Sequence, residues 1–237
     1  MPENRICGLN AVSALFARRL DDVNRLFYAE TLKAAAGPFC AELARRRLPY
    51  RLLPEEEMER VAGTGHHGGI VALATPRPLA AFDHAQPPRL PFLLILDGIG
   101  NPHNLGAIAR SAAFFGVPAM LLHDTPGQAF PSDAAYRVAE GGLEHLDLYR
   151  ARDLPAALRA LDPFYRTVAA TLGQEGVPLS ALPRDRPVAL VLGNEEHGIL
   201  PEVLAACRRR IRIEPRGPVQ SLNVAQAAAI LLHALTP

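Results

Sequence analysis

Residues 211–224 read Ile211-Arg212-Ile213-Glu214-Pro215-Arg216-Gly217-Pro218-Val219-Gln220-Ser221-Leu222-Asn223-Val224, and an alanine-rich run continues to Leu235. The alternation Ile211-Arg212-Ile213 predicts a strand. Pro215, Gly217 and Pro218 end it, and the run from Val224 has the composition of a long helix. Ser221 and Asn223 stand at the junction, where short polar side chains satisfy the free N–H groups of a helix start. Strand, polar loop and helix in that order describe the ligand edge of an α/β sheet.

Upstream of this stretch the same alternation repeats. Apolar runs over 92–96, 119–122, 145–149, 165–170 and 188–192 predict strands. Helical spacing over 104–115, 132–140, 154–161 and 201–207 lies between them. That pattern predicts a mostly parallel sheet covered on both faces. Residues 4–74 read as a smaller α/β unit, with helices over 9–20, 38–47 and from 54, and strands over 25–29, 50–53 and 70–73. Between the two, Pro76, Pro78, Pro87, Pro88 and Pro91 predict a linker. The expected organisation is therefore 1–75, a linker over 76–90, and 91–237.

Composition narrows the function. A chain of 237 residues with 49% hydrophobic residues can bury a sizeable core. No apolar run approaches the roughly 20 residues of a membrane span, and the start of the chain has no signal-like segment, so a cytoplasmic protein is expected. The net charge of +1 sets up no bulk basic field, although 24 of the 25 basic residues are arginine, the better bidentate partner of phosphate. Cys7, Cys40 and Cys207 are far apart and form no CxxC pair, which predicts buried thiols and no metal site. His66-His67 has no third ligand at metal spacing and is read as part of a turn. Arg45-Arg46-Arg47 suits either a solvated face or phosphate contact, and Arg208-Arg209-Arg210 is read as structural or at a subunit edge.

Three polar loops each follow an apolar strand. They are Asp97-Gly98-Ile99-Gly100-Asn101-Pro102-His103-Asn104-Leu105-Gly106, Gly193-Asn194-Glu195-Glu196-His197-Gly198, and the stretch quoted first. In a parallel sheet all three share the carboxyl edge and can converge on one crevice. The first is not a dinucleotide fingerprint, because His103 occupies the third glycine position of GxGxxG. No phosphate-binding GKS or GKT loop and no GxSxG elbow occurs anywhere in the chain. Asn104 is also read as a cap of the helix that follows it.

Taken together, the loops resemble the motifs of the SpoU (TrmH-like) family of RNA ribose methyltransferases, in the SPOUT superfamily. The resemblance rests on Asn101 to Gly116, on Leu190 to Gly198, and on Ile213-Glu214-Pro215 followed by Ser221-Leu222-Asn223-Val224-Ala225. Residues 4–74, with Cys7-Gly8-Leu9-Asn10-Ala11-Val12 and His67-Gly68-Gly69-Ile70-Val71, look like the family's substrate-binding domain, which is similar to small RNA-binding ribosomal proteins.

The resemblance implies a SPOUT-type sheet closed by a C-terminal trefoil knot. It implies methyl transfer from S-adenosylmethionine to a ribose 2′-hydroxyl of ribosomal or transfer RNA, without metal. Gly193, Ile213 and Leu222 match the cofactor positions. Arg110 matches the residue at the acceptor, read as a stabiliser of developing negative charge because guanidinium scarcely deprotonates. Asn104, Glu195, Ser221 and Asn223 match the remaining positions, holding Arg110 and the acceptor nucleotide. A homodimer is implied, since the counterpart of Arg110 acts with residues of a partner subunit. Two positions depart from the family pattern: Glu196 replaces the usual glycine, and Glu140-Gly141-Gly142 stands where small or hydroxyl residues are common. The alternative is a catalytically silent RNA-binding protein that keeps the knot.

Overall fold

The computed structural model describes residues 3–172, 176–183 and 185–236. The expected unit limits at Met1 and Pro237 lie outside the described residues. Four strands, β1 (Asn4–Cys7), β2 (Val23–Tyr28), β3 (Tyr50–Leu52) and β4 (Ile70–Ala74), form an N-terminal sheet in the order β1-β4-β2-β3. Helices α1 (Leu9–Arg18), α2 (Lys33–Arg45) and α3 (Glu55–Ala62) pack on it. Val12 and Leu15 of α1 lie on one face with Ile6 and Leu26, while Met58 and Ala62 of α3 meet Phe27 and Val71 on the other.

Two features here differ from the sequence expectation. β1 was not expected; four residues are too few for a periodic signal, and pairing with β4 from Asn4↔Ala74 to Cys7↔Val71 defines the strand. Helix α2 begins at Lys33, well before the expected start, and carries Pro38 inside it. A proline so near the start removes one backbone bond, and burial of Ala36 and Leu43 carries the helix past it.

The second sheet is parallel at every pairing, as expected. Its strands are β5 (Ala80–Ala81), β6 (Phe92–Asp97), β7 (Ala119–His123), β8 (Asp147–Ala151), β9 (Arg166–Ala170), β10 (Val177–Pro178), β11 (Val188–Gly193) and β12 (Arg209–Arg212). They run in the order β10-β12-β9-β11-β6-β7-β8-β5. Along β6, Phe92, Leu94 and Leu96 face the helices α4 (Pro102–Phe114), α5 (Asp133–Ala139) and α8 (Val224–Leu235). Leu93 and Ile95 face α6 (Leu154–Leu161) and α7 (Pro201–Ala206). Both faces are covered, so the strand is apolar throughout and shows no alternation.

The proline-rich segment does more than join the units. β5 pairs with β8 at the sheet edge, where proline is tolerated. Tyr165 fastens the segment further, its hydroxyl donating to Pro88 O at 2.8 Å and accepting from Leu90 N at 2.7 Å.

Strand order reverses at β6, with β7 and β8 on one side and β11 and β9 on the other. β6 and β11 run in parallel register to their carboxyl ends, where Gly193 lies opposite Asp97. A crevice outside such a reversal is where open α/β sheets take their ligands.

The N-terminal unit docks on residues 133–145. Arg19 at the end of α1 grips the fully buried Glu144 carboxylate with two bonds, 2.7 Å from Nε and 2.8 Å from Nη2. Arg5 pairs with Asp133 at 3.1 Å, and Arg77 donates to Leu143 O at 2.7 Å. Burial alone would lower the Arg19 pKa, but the bonds and charge of Glu144 outweigh it and raise it further. Glu144→Ala leaves that guanidinium buried without its main partner and should cost about 3–5 kcal/mol in denaturant unfolding. A paired apolar replacement, Arg19→Met with Glu144→Leu, should recover most of the loss.

Candidate active site

The three loops meet at the strand-order reversal. Asn194 Nδ2 donates to Gly98 O at 2.8 Å, joining the second loop to the first. Asn194 Oδ1 accepts from the N–H groups of Glu196 and His197, at 2.8 and 3.1 Å, and sets the turn between them. Asn194 and Gly198 exchange both backbone bonds at 2.9 Å. This closed turn explains Gly193 directly, since a Cβ there would lie 2.4 Å from Gly198 C and Ile199 N.

Residues behind the loops, given no role by sequence reading, hold them in place. The Gln128 side chain is buried and accepts from Gly98 N at 2.9 Å and Ile99 N at 3.1 Å, fixing the first turn. Asp97, at the end of β6, is buried too; one oxygen lies 2.6 Å from His123 Nδ1 and the other accepts from Leu200 N at 2.8 Å. Burial works to lower the His123 pKa, but the bond to Asp97 and its charge outweigh it, so the ring is held above its ordinary value. A buried glutamine or histidine carries no periodic signature; only the strand ends on either side hinted at these positions.

Three of the expected site residues, one from each loop, form a chain of side-chain bonds. Asn223 caps α8, its oxygen accepting from Ala225 N at 2.9 Å. That bond leaves Asn223 Nδ2 to donate to Asn104 Oδ1 at 3.2 Å, and Asn104 Nδ2 donates onward to Glu195 Oε1. Asn104 does not cap its helix, contrary to expectation. Asn101 caps α4, accepting from His103 N at 2.9 Å, because the helix starts at Pro102. Asn104 therefore falls within the first turn, and its side chain is free to cross between loops.

Ser221 and Leu222 lie exposed on the approach to α8, with Leu222 44% exposed, and Ile213 is half-buried against the core. Arg110 is not part of the Asn104 chain. It is 57% exposed, two turns farther along α4, and its Nη1 donates to Glu140 Oε1 at 2.9 Å. The expectation that Asn104, Glu195, Ser221 and Asn223 hold Arg110 is not met within one chain.

His67 Nδ1 accepts from Gly69 N at 3.1 Å, a turn contact in keeping with its reading. Arg208 pairs with Asp162 and pulls that carboxyl below its usual range, while Arg45 and Arg46 both reach Glu42. Of the three thiols expected to be buried, Cys7 is buried while Cys40 and Cys207 are only partly so; burial pushes the thiol of Cys7 up to about 11 and that of Cys207 up to about 12. Among the described residues no helix is long and apolar enough to cross a membrane.

The Gly193 geometry gives a direct test. Gly193→Ala forces the Gly198–Ile199 backbone away and should lower unfolding free energy by about 1–3 kcal/mol in a denaturant titration.

The model of the SpoU rRNA Methylase family matches residues 91–233, and that of the RNA 2′-O ribose methyltransferase substrate-binding domain matches residues 5–80. An uncharacterised tRNA/rRNA methyltransferase of Escherichia coli is 31% identical over 97% of this chain, which spans 67% of that relative's length. The 23S rRNA (guanosine-2′-O-)-methyltransferase of Yersinia pestis is 32% identical over 96% of this chain and 94% of its own length. In fold, the AdoMet-bound rRNA methyltransferase of Sinorhizobium meliloti superposes with a TM-score of 0.81 at 22% identity, over 98% of this chain and 86% of that one. The motifs, the parallel sheet and the two matches together cover nearly the whole chain, which belongs to the SpoU rRNA methylase family.

Proposed function

We propose that the protein transfers a methyl group from S-adenosylmethionine to a ribose 2′-hydroxyl of ribosomal or transfer RNA, as a homodimer with composite active sites. The observation that carries this reading is the bonded chain Glu195–Asn104–Asn223, which spans all three loops at the sheet's carboxyl edge. Nothing in the separate folding of those loops requires the three side chains to meet.

The residues present suit the methyl donor. Gly193 keeps the second loop tightly folded, and Ile213 and Leu222 offer apolar surface that an adenine ring would cover. When bound, S-adenosylmethionine supplies an electrophilic methyl on a positively charged sulfur. The carboxylate of Glu195 and the amides of Asn104 and Asn223 orient the acceptor, since the bonds along the chain fix the direction of each group. Arg110 stabilises the charge that develops on the 2′-oxygen.

Because Arg110 stands apart from the Asn104 chain, we assign it to the site of a second protomer. The exposed apolar residues support that assembly. Phe114, 83% exposed, and Ile230, 42% exposed, lie on α4 and α8, which pack together through Phe115 and His233 with rings 5.7 Å apart. An exposed apolar face on two such helices suits a partner surface. In the same reading residues 1–75 capture RNA, 76–90 connect, and 91–237 carry methyl transfer and the threaded C-terminal knot, in the cytoplasm.

Complementation tests the composite site. Arg110→Ala and Asn104→Ala should each abolish methyl transfer, with Arg110→Ala leaving cofactor affinity by calorimetry within about two-fold of wild type. Unfolded together and refolded as a mixture, they should recover about a quarter of wild-type activity, because half the dimers then hold one intact site of two. No recovery, in a mixture shown to contain heterodimers, would contradict the composite site.

A further inference from the structure

Methyl transfer to a hydroxyl leaves one proton to be placed. Arg110 is a poor acceptor, because guanidinium carries no free lone pair near neutral pH. The carboxylate beside it is Glu140, which accepts from Arg110 Nη1 at 2.9 Å and is 46% exposed. Both side chains open onto a cleft of about 510 Å³ between α1 and α4, bordered by Asn10 and Ser13 of the N-terminal unit and by His145.

The backbone that carries Glu140 is built for this placement. Glu140 has φ 44° and ψ 44°, a left-handed conformation that non-glycine residues seldom adopt. The next two residues admit no side chain. A Cβ on Gly141 would lie 2.9 Å from the Ala14 side chain and 3.1 Å from Asn10 O, and one on Gly142 would lie 2.8 Å from Arg110 Cα. Gly141 and Gly142 are thus wedged between α1 and the Arg110 backbone, and the left-handed backbone of Glu140 places its carboxylate against that guanidinium. Strain of this kind is retained where the surrounding structure over-determines it, often at a working site.

We propose that Glu140 is a catalytic residue, the acceptor of the 2′-hydroxyl proton, working beside Arg110. This rests on the transferase reading above. A lone pair of the 2′-oxygen forms the bond to the methyl carbon, and the carbon–sulfur pair departs on sulfur as a neutral thioether. The O–H proton passes to the Glu140 carboxylate, and its bonding pair stays on the ether oxygen. A carboxylate is basic enough, because the oxygen becomes strongly acidic as the new bond forms. Arg110 meanwhile holds both Glu140 and the reacting oxygen.

The test separates proton acceptance from mere positioning. Glu140→Gln keeps an oxygen that accepts from Arg110 but cannot take a proton. Glu140→Ala removes both and leaves space for an added small carboxylate. In single-turnover assays with S-adenosylmethionine and unmodified bulk RNA, both variants should lose about 10²-fold or more in rate. Their affinities for RNA and cofactor should stay within about two-fold of wild type. Added formate should restore part of the rate to Glu140→Ala and none to Glu140→Gln, while His145→Gln should stay near wild type. Independently of turnover, modification of Arg110 by phenylglyoxal, followed by peptide mass mapping, should speed up several-fold in Glu140→Ala and little in Glu140→Gln.

Wild-type rates in Glu140→Gln, absence of formate rescue, or a loss of rate in His145→Gln alone would overturn the assignment. So would unchanged Arg110 modification in Glu140→Ala. A wild-type protein that methylates no RNA would overturn the transferase reading itself. One that methylates while Glu140→Gln keeps pace would overturn this inference alone.

Discussion

The parallel register between β6 and β11, with Gly193 opposite Asp97, is the constraint on which the site depends. It brings the ends of two strands far apart in sequence to one level, and both loops then leave from the same edge. Each loop is fixed by buried polar contacts that no apolar core could supply. Gln128 satisfies two N–H groups of the first, and Asn194 sets the second and ties it to Gly98. Asp97 anchors the start of α7 through Leu200 N and meets His123 beneath the sheet edge. A buried group left unsatisfied here would cost about 1–3 kcal/mol, so these contacts favour one arrangement of the loops.

Much of this was legible in the sequence, for a physical reason in each case. The central strands β6, β7 and β11 are apolar on both faces, and α6 carries Pro155 in its first turn, where it is tolerated, so the helix falls where its spacing put it. Asn223 reads as a cap and is one. The misreadings lie where long-range contact decides. Asn104 looked like a cap because its helix start was misplaced by two residues, and Asn101 takes that role. Pro38 looked like a helix start but sits inside α2, and β1 and β5 exist through their partners β4 and β8. The partner of Arg110, Glu140, is 30 residues away in sequence, with only the Gly141-Gly142 pair to mark the spot.

The two units are not independent modules on a tether. Apolar residues of the N-terminal sheet and of the large sheet belong to one continuous core, and Arg19 is locked to Glu144 at their boundary. The segment from Asp133 to His145 therefore serves both units. It receives Arg5 and Arg19 from the N-terminal unit, and it presents Glu140 to Arg110 of α4. In the proposed function, RNA captured by the first unit is positioned relative to the second through this shared segment. The modest net charge of +1 fits this arrangement, in which shape and a few placed arginines matter more than a bulk field.

The central claim is that the three loops methylate a ribose hydroxyl of RNA. A ribose methylated at its 2′-oxygen cannot assist alkaline cleavage of the neighbouring phosphodiester. The direct measurement is to incubate the protein with methyl-labelled S-adenosylmethionine and unmodified RNA, hydrolyse with alkali, and separate the products. Label is expected in alkali-resistant dinucleotides. Label confined to mononucleotides, the signature of base methylation, or no transfer to any RNA would contradict it.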